Sequence, residues 1–383
     1  MRSLLEFART LTPDLGTEGI LRSVERTIMG KGLITETFAY FQKDEANTSF
    51  RFLNRIGFRT VELPAELSFE HLETWIVRPP DGCAFILPIF DSDQQEIIAF
   101  IGFGKSLSST IDIEDEPNYL ESLSLLTGIA LTNAKLFIRE RERERMEAEL
   151  RLAREIQQSL LPQTFPEIEG IIFHAYSKQS QHVGGDYYDF LRINDDDALV
   201  VIADVVGKGI GAAILMSNMQ ASIHTLVSGL RNSFFDLNTL VNELNRVIYE
   251  STTAERYITA VLAVINARTK ICTSYVCGHP HPLVIAKDET IRTLATSGIP
   301  LGIFATYDFQ EFQTQLVTGD RLVLYTDGIS EAYNSNEMLG EEGVARLFIK
   351  KHIESKDDLR LLLEKDEEIN VSDDITVVVV DVQ

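Results

Sequence analysis

The sequence predicts an α+β protein in which two globular parts are joined by one long helix. Three observations carry that expectation. Over residues 1–135, helical spacing of apolar residues alternates with short strand-like runs. Residues 120–160 hold no proline and a single glycine, Gly128, as a long uninterrupted helix would. From residue 167 onward, near-continuous apolar runs dominate, as in strands covered on both faces.

In chain order, LLEFARTL and GILRSVERTIMGKGL carry apolar residues at three-to-four spacing and read as amphipathic helices. FAYF, FRFLNRI, CAFILPIF and EIIAFIGFG follow as short strands separated by polar turns. In the long helix, Met146, Leu150, Ala153, Gln157 and Leu160 recur at 4-3-4-3 spacing, the seam of a coiled coil. Extended backwards, that register meets Arg139 and Arg143, so the seam starts at Met146. RERERER alternates in sign and reads as a solvated helical face. Pro162 and Pro166 end the helix, which sets a linker over 136–166. A helix of this kind is expected to act as connector, homodimer seam, or both. In the last part, DALVVIADVV, RYITAVLAVINA, KICTSYVCG, DRLVLYTDG and DITVVVVDV are strands, and IGAAILMSNMQASIHTLVSGL and LNTLVNELNRVIYEST are helices. Helices packed outside two stacked sheets suit this order over 167–383.

The chain of 383 residues has a net charge of −23, which repels phosphate backbones and anionic lipid and argues against nucleic acid or membrane as main partner. The N-terminal MRSLLEFARTLTPDLG lacks the pattern of a secretory signal, and no run approaches the ~18 apolar residues of a membrane span. Cys83, Cys272 and Cys277 form neither a CxxC pair nor a disulfide framework. A cytoplasmic protein is expected.

The chemistry-bearing residues lie at strand ends. ADVVGKGIGAAILMS lacks the GxxxxGK[ST] spacing of a phosphate-binding loop, so its aspartate is the informative residue. Asp204 shares its setting with Asp186 in VGGDYYDF, Asp327 in RLVLYTDGISEAY, and Asp373 and Asp374 in VSDDITVVVV. Each stands where an apolar strand begins or ends. Taken singly, an aspartate beside glycine is a turn residue. Taken together, carboxylates converging at one end of a sheet would repel one another unless cations neutralise them. An oxygen-rich set without His or Cys suits Mg²⁺ or Mn²⁺. Two such ions ~4 Å apart can activate a bridging water toward phosphorus.

LAREIQQSLLP, VGGDYYDF, ADVVGKGIGAAILMS, CGHPHPLVI, GIPLGIF, YTDGISEA and DDITVVVV occur in the order found in the PPM-type serine/threonine phosphatases of the bacterial SpoIIE/RsbU branch. Residues from about Leu152 to the C-terminus resemble that family. The resemblance implies an α-β-β-α sandwich with two Mn²⁺ or Mg²⁺ ions at one end. It makes Asp186 a metal ligand, Asp204 the bridge between the metals, Val205 a backbone-carbonyl ligand, and Asp327 and Asp373 the remaining carboxylates. Asp374 replaces Asp373 if the register is off by one. Asp204 and Asp327 are thereby the catalytic residues. The implied reaction is direct attack by metal-bound hydroxide on the phosphoserine or phosphothreonine of a small regulatory protein, typically an anti-sigma-factor antagonist. The chain departs from the family in carrying Val206 where serine is usual. No phosphate-binding arginine or histidine acid is evident; His182, His279 and His281 are the nearest proton donors, and Lys208 the nearest cation. A hydrolase of small phosphate compounds and a non-catalytic signalling scaffold are the rival readings.

Residues 1–135 resemble a GAF domain through LLEFARTL, ERTIMGKGLI and ALTNAKLF, which implies a sensor of an unknown small-molecule or protein ligand. Cys83 lies in an apolar strand before Ala84, as a buried structural thiol would rather than a bilin attachment.

Overall fold

A computed structural model describes residues 7–42, 49–58, 62–91, 93, 96–107, 117–180, 183–231, 235–252, 256–294, 298–334, 337–349, 353, 355–364, 369–370 and 373–383. The chain divides into two compact units, Met1–Glu147 and Ala148–Gln383.

In the first unit, LLEFARTL begins outside the described residues and is helical over 7–10. Helix α1 (Gly16–Gly32) follows, and the expected strands form one antiparallel sheet. These are β1 (Thr37–Gln42), β2 (Ser49–Ile56), β3 (Glu66–Ser68), β4 (Cys83–Phe90) and β5 (Ile97–Gly104), in the order β3-β2-β1-β5-β4. Helix α2 (Phe69–Val77) is capped by Ser68, whose Oγ accepts from the His71 amide. One face of the sheet packs on Ile20, Leu21, Val24 and Ile28 of α1 and on Leu123, Leu131 and Ala134 of α3 (Pro117–Leu160). The opposite face is aromatic: Phe38, Tyr40, Phe50 and Phe100 are buried there with Leu72 of α2, and Tyr40 stacks on Phe100 at 4.9 Å. Cys83 is only half-buried, at the first position of β4, where its thiol donates to the Phe85 carbonyl.

The second unit begins within α3, a continuous helix of 44 residues. Its first sheet has the order β13-β10-β9-β8-β7, with β7 (Tyr187–Arg192), β8 (Asp197–Val205), β9 (Ile258–Asn266), β10 (Ile271–Cys277) and β13 (Phe312–Gln315). The second has the order β12-β11-β14-β18-β6, with β6 (Ile171–Lys178), β11 (Leu283–Ile285), β12 (Ile291–Thr293), β14 (Arg321–Tyr325) and β18 (Ile375–Val382). A small third sheet joins β15 (Tyr333–Asn334), β16 (Glu337–Met338) and β17 (Ile369–Asn370).

The apolar runs are explained by what covers each face. In β8, Ala198, Val200 and Ile202 enter a core shared with Val378, Val380 and Val382 of the opposing sheet. The alternate residues Leu199, Val201, Ala203 and Val205 pack outward on α4 (Ile210–Arg231) and α5 (Leu237–Ser251). In β18, Ile375, Val377 and Val379 likewise turn outward, against α7 (Gly340–Ile349) and α8 (Lys356–Glu364), which follow the short α6 (Asp327–Ser330). The result is a four-layered α-β-β-α sandwich.

Helix α4 is the one described helix long and apolar enough to cross a membrane by length and composition. Its Met216, Met219, Ile223 and Val227 are spent on the sandwich core. At the end of α3, the seam position Gln157 is turned into the second unit and is 3% exposed. That seam therefore meets its own domain at this turn.

Candidate metal centre

Strand register brings the acids to one end of the sandwich. Asp186 precedes β7 and Asp204 is the penultimate residue of β8; the pair Tyr187–Ala203 sets them side by side at the end of the first sheet. Val205 closes β8 opposite Ile258 of β9. In the second sheet, Tyr325 of β14 pairs with Val377 of β18. Asp327 opens α6 just beyond β14, and Asp373 and Asp374 lead into β18.

Hydroxyl groups join the two sheets at this end. Thr326 Oγ1 donates to Asp186 Oδ2 at 3.0 Å, and Thr376 Oγ1 donates to the same oxygen at 2.6 Å. Thr326 Oγ1 also accepts from the Thr376 amide at 2.9 Å. Asp374 uses both oxygens on the chain: Oδ1 accepts from the Ser180 amide and hydroxyl at 2.7 and 2.9 Å, and Oδ2 from the Gly185 amide at 3.1 Å. Asp373 Oδ1 accepts from the Asp374 amide at 2.8 Å, while its Oδ2 pairs with Lys208 Nζ at 3.0 Å.

Glycines permit the close approach. A Cβ on Gly184 would stand 2.2 Å from Asp374 Oδ2, and one on Gly328 would stand 1.9 Å from the Asp374 carbonyl oxygen. Alanine would clash at either place. A Cβ on Gly185 would lie 2.8 Å from the Val205 carbonyl oxygen and 3.0 Å from Asp204 Oδ1, so these two oxygens share one small region.

The electrostatic cost of this convergence is visible in the acids themselves. Burial, then the Asp204 charge, raises the Asp186 carboxyl well above the usual range against the two threonine donors. Asp204 is pushed up to about 7 by burial and by Asp327, Asp373 and Asp374, with a hydrogen bond from the Asp186 carboxyl opposing. Asp327 is raised by burial, Glu331 and Asp373. Among the described residues, no three His, Cys, Asp or Glu side chains are closed around one point, so the cluster is convergent but open. Its donors are carboxylate oxygens with a backbone carbonyl beside them, and its charge is far from balanced by Lys208. Hard divalent cations fit that set.

Neighbouring cations and histidines differ in position. The Val206 amide donates to the Tyr257 carbonyl, which places Arg256 across the ladder from the Val206–Gly209 turn. A Cβ on Gly211, in the first turn of α4, would lie 3.4 Å from both Arg256 Nη atoms. His279 is buried, and burial lowers its imidazole to about 3, so it is neutral. Its Nδ1 meets Thr259 Oγ1 at 2.8 Å, and that hydroxyl reaches the Asp204 carbonyl at 3.4 Å. His279 thus packs beneath Asp204 and is not charged to serve as an acid. His281 pairs with Glu341 at 3.4 Å. His182 lies outside the described residues.

Residues 194–383 match the family model for stage II sporulation protein E, SpoIIE. That match covers just under half of the chain, within the second unit. Its curated relatives include the phosphoserine phosphatase RsbU of Bacillus subtilis, 32% identical over 212 residues covering 55% of this chain and 61% of RsbU. Another is the phosphoserine phosphatase RsbP of the same organism, 28% identical over 185 residues covering 48% of this chain and 45% of RsbP. The matched regions thus span about half to three-fifths of these relatives. The SiaA-PP2C domain of Pseudomonas aeruginosa superposes with a TM-score of 0.54 at 18% identity, covering 63% of this chain and 99% of that domain, which shows a shared PP2C-type fold.

In the second unit, sequence reasoning singled out the acids but missed the contacts of Thr326, Thr376, Ser180, Gln157 and Arg256. Thr326 and Thr376 adjoin or nearly adjoin acids already singled out, which was the available signal. Gln157 had one too, as a polar residue on an otherwise apolar seam.

Proposed function

We propose that this chain is a metal-dependent protein serine/threonine phosphatase acting on a phosphorylated regulatory protein of the anti-sigma-factor-antagonist type. The observation that carries the reading is the convergence of Asp186, Asp204, Asp327 and Asp373 from both sheets onto one end of the sandwich, tied together by the two threonine hydroxyls on Asp186. These four, with the Val205 carbonyl, would hold two Mn²⁺ or Mg²⁺ ions. Asp374, bonded to the Ser180 and Gly185 amides and the Ser180 hydroxyl, braces the loops, whereas Asp373 Oδ2 meets only the half-exposed Lys208, which a cation can displace, so the ligand role is assigned to Asp373. Bound divalent ions supply a lowered water pKa and neutralisation of phosphoryl charge.

The chain's own residues do the positioning. Thr326 and Thr376 fix the Asp186 lone pairs and favour its ionised form. Lys208 and Arg256 flank the Val206–Gly209 turn and bring positive charge to the rim, where a phosphoryl group needs it. Ile210 and Ile214 are exposed on the first turns of α4 beside this rim. An open, partly apolar rim favours a protein substrate over a small phosphate compound.

The GAF-like unit would sense its ligand through a cavity of about 370 Å³ lined by Phe41, Gln42, Glu96, Ile98, Leu131 and Thr132. A cytoplasmic homodimer, regulated through α3, completes the reading. The test is Mn²⁺-dependent turnover of a phosphoserine protein, a chromogenic phosphate ester and free nucleotides. Preference for the phosphoprotein supports it; preference for nucleotides favours the small-molecule hydrolase; no turnover of any favours a scaffold.

A further inference from the structure

Gln157 is a buried amide at the end of a helix whose other seam residues are apolar, and it bonds both backbone groups of one residue, Gly184. Its Oε1 accepts from the Gly184 amide at 3.1 Å, and its Nε2 donates to the Gly184 carbonyl at 2.7 Å. Gln179 Nε2 donates to the same Oε1 at 2.9 Å and holds the amide in this orientation. Gly184 is a residue of singular importance to the acids. It has no room for a side chain because a Cβ there would stand 2.2 Å from Asp374 Oδ2; the next amide, that of Gly185, donates to Asp374, and the residue after it is Asp186. A leucine at position 157 would fill the space and leave the Gly184 amide and carbonyl without this partner.

We infer that Gln157 is a positioning residue that ties the docking of the last turns of α3 to the geometry of the Gly184–Asp186 loop, and through it to the affinity of the centre for divalent cations. The inference rests on the metal-centre reading above and deepens it. Gln157 touches neither metal nor substrate. It acts by holding the peptide that orients Asp186 and Asp374, as partners outside a ligand shell commonly do. When the end of α3 is docked, Gly184 is clamped and the acids are set for cations; when that turn lifts, the loop is released and affinity falls.

The experiment uses the full chain with Gln157→Met, which keeps the volume and removes both the donor and the acceptor. Mn²⁺ binding is titrated directly by electron paramagnetic resonance of free Mn²⁺, and thermal melting is followed in EDTA. The inference expects Mn²⁺ affinity to fall by about tenfold or more, with turnover recovered in part at high Mn²⁺, while metal-free melting shifts by only a few degrees. Unchanged Mn²⁺ affinity in a folded variant overturns the inference and leaves the metal reading intact. Failure of the wild type to bind Mn²⁺ removes both. Should the variant fail to fold, hydrogen exchange on the wild type decides. The Gly184 amide is expected to open with the same protection as the amides of the last turn of α3; exchange much faster than that turn would overturn the clamp.

Discussion

Replacing Asp204 by asparagine removes one negative charge from the point where the others converge. Burial, with Asp327, Asp373 and Asp374, moves its carboxyl from an ordinary 3.8 to about 7. At about 1.4 kcal/mol per tenfold change in proton affinity, ionising it costs the metal-free fold at most about 4 kcal/mol. Asp186 shares that charge balance, so roughly half, ~2 kcal/mol, is expected to be recovered by the substitution alone. The group's contribution to stability is intact below the ordinary carboxylate value and is lost as pH rises through about 7. In EDTA at pH 8, Asp204→Asn is therefore expected to melt about 4–8 °C above the wild type. At pH 4.5, where Asp204 keeps its proton in the fold, that advantage should shrink to about a quarter. Added Mn²⁺ reverses the order, because only the wild type gains ligand stabilisation, about 3 kcal/mol at a hundredfold excess over Kd. Thermal melts at both pH values, with EDTA and with Mn²⁺, measure all four quantities. A variant less stable than the wild type at pH 8 in EDTA, or equally stabilised by Mn²⁺, would refute the argument.

Three further substitutions probe the supports. Thr376→Val removes the shorter hydrogen bond to Asp186, worth about 1.5–3 kcal/mol to the charged form. It raises the Asp186 proton affinity further, so at limiting Mn²⁺ the pH of half-maximal activity should move upward; an unmoved pH profile would speak against the role. Gly328→Ala drives a methyl group into the Asp374 carbonyl and is expected to cost about 2 kcal/mol or more in urea unfolding, together with Mn²⁺ binding. Wild-type stability there would show that the loops can part freely. Arg256→Ala is expected to raise KM for a phosphoprotein about tenfold, the worth of one charge-assisted contact, with a smaller effect on a chromogenic ester. An equal KM for the phosphoprotein would remove Arg256 from substrate contact.

How far the sequence could be read follows from what each residue has to do locally. The runs in β8 and β18 were legible as strands covered on both faces because alternate residues in each enter different cores. The acids were legible because a charged residue that interrupts an apolar run beside glycine stands out from its surroundings. The choice between Asp373 and Asp374 was not, since neighbours at a strand entry point to opposite sides and one residue of register exchanges them. It took the Ser180 and Gly185 donors to show that Asp374 is engaged by the backbone. Thr326 and Thr376 act on a residue 140 and 190 positions away, and their nearness in sequence to Asp327 and Asp374 marks the end of the sheet they occupy but not that partner. Gln157 fitted the helical seam by spacing alone, and only the fold reveals that this turn faces a glycine loop 27 residues further on.

The central claim is that distant carboxylates close around a pair of divalent ions. Anomalous scattering from crystals grown with Mn²⁺ tests it most directly. Two peaks bounded by Asp186, Asp204, Asp327 and Asp373, with the Val205 carbonyl beside them, are expected. Well-ordered crystals with no peak at that end of the sandwich, or with Mn²⁺ held by other residues, would contradict the account.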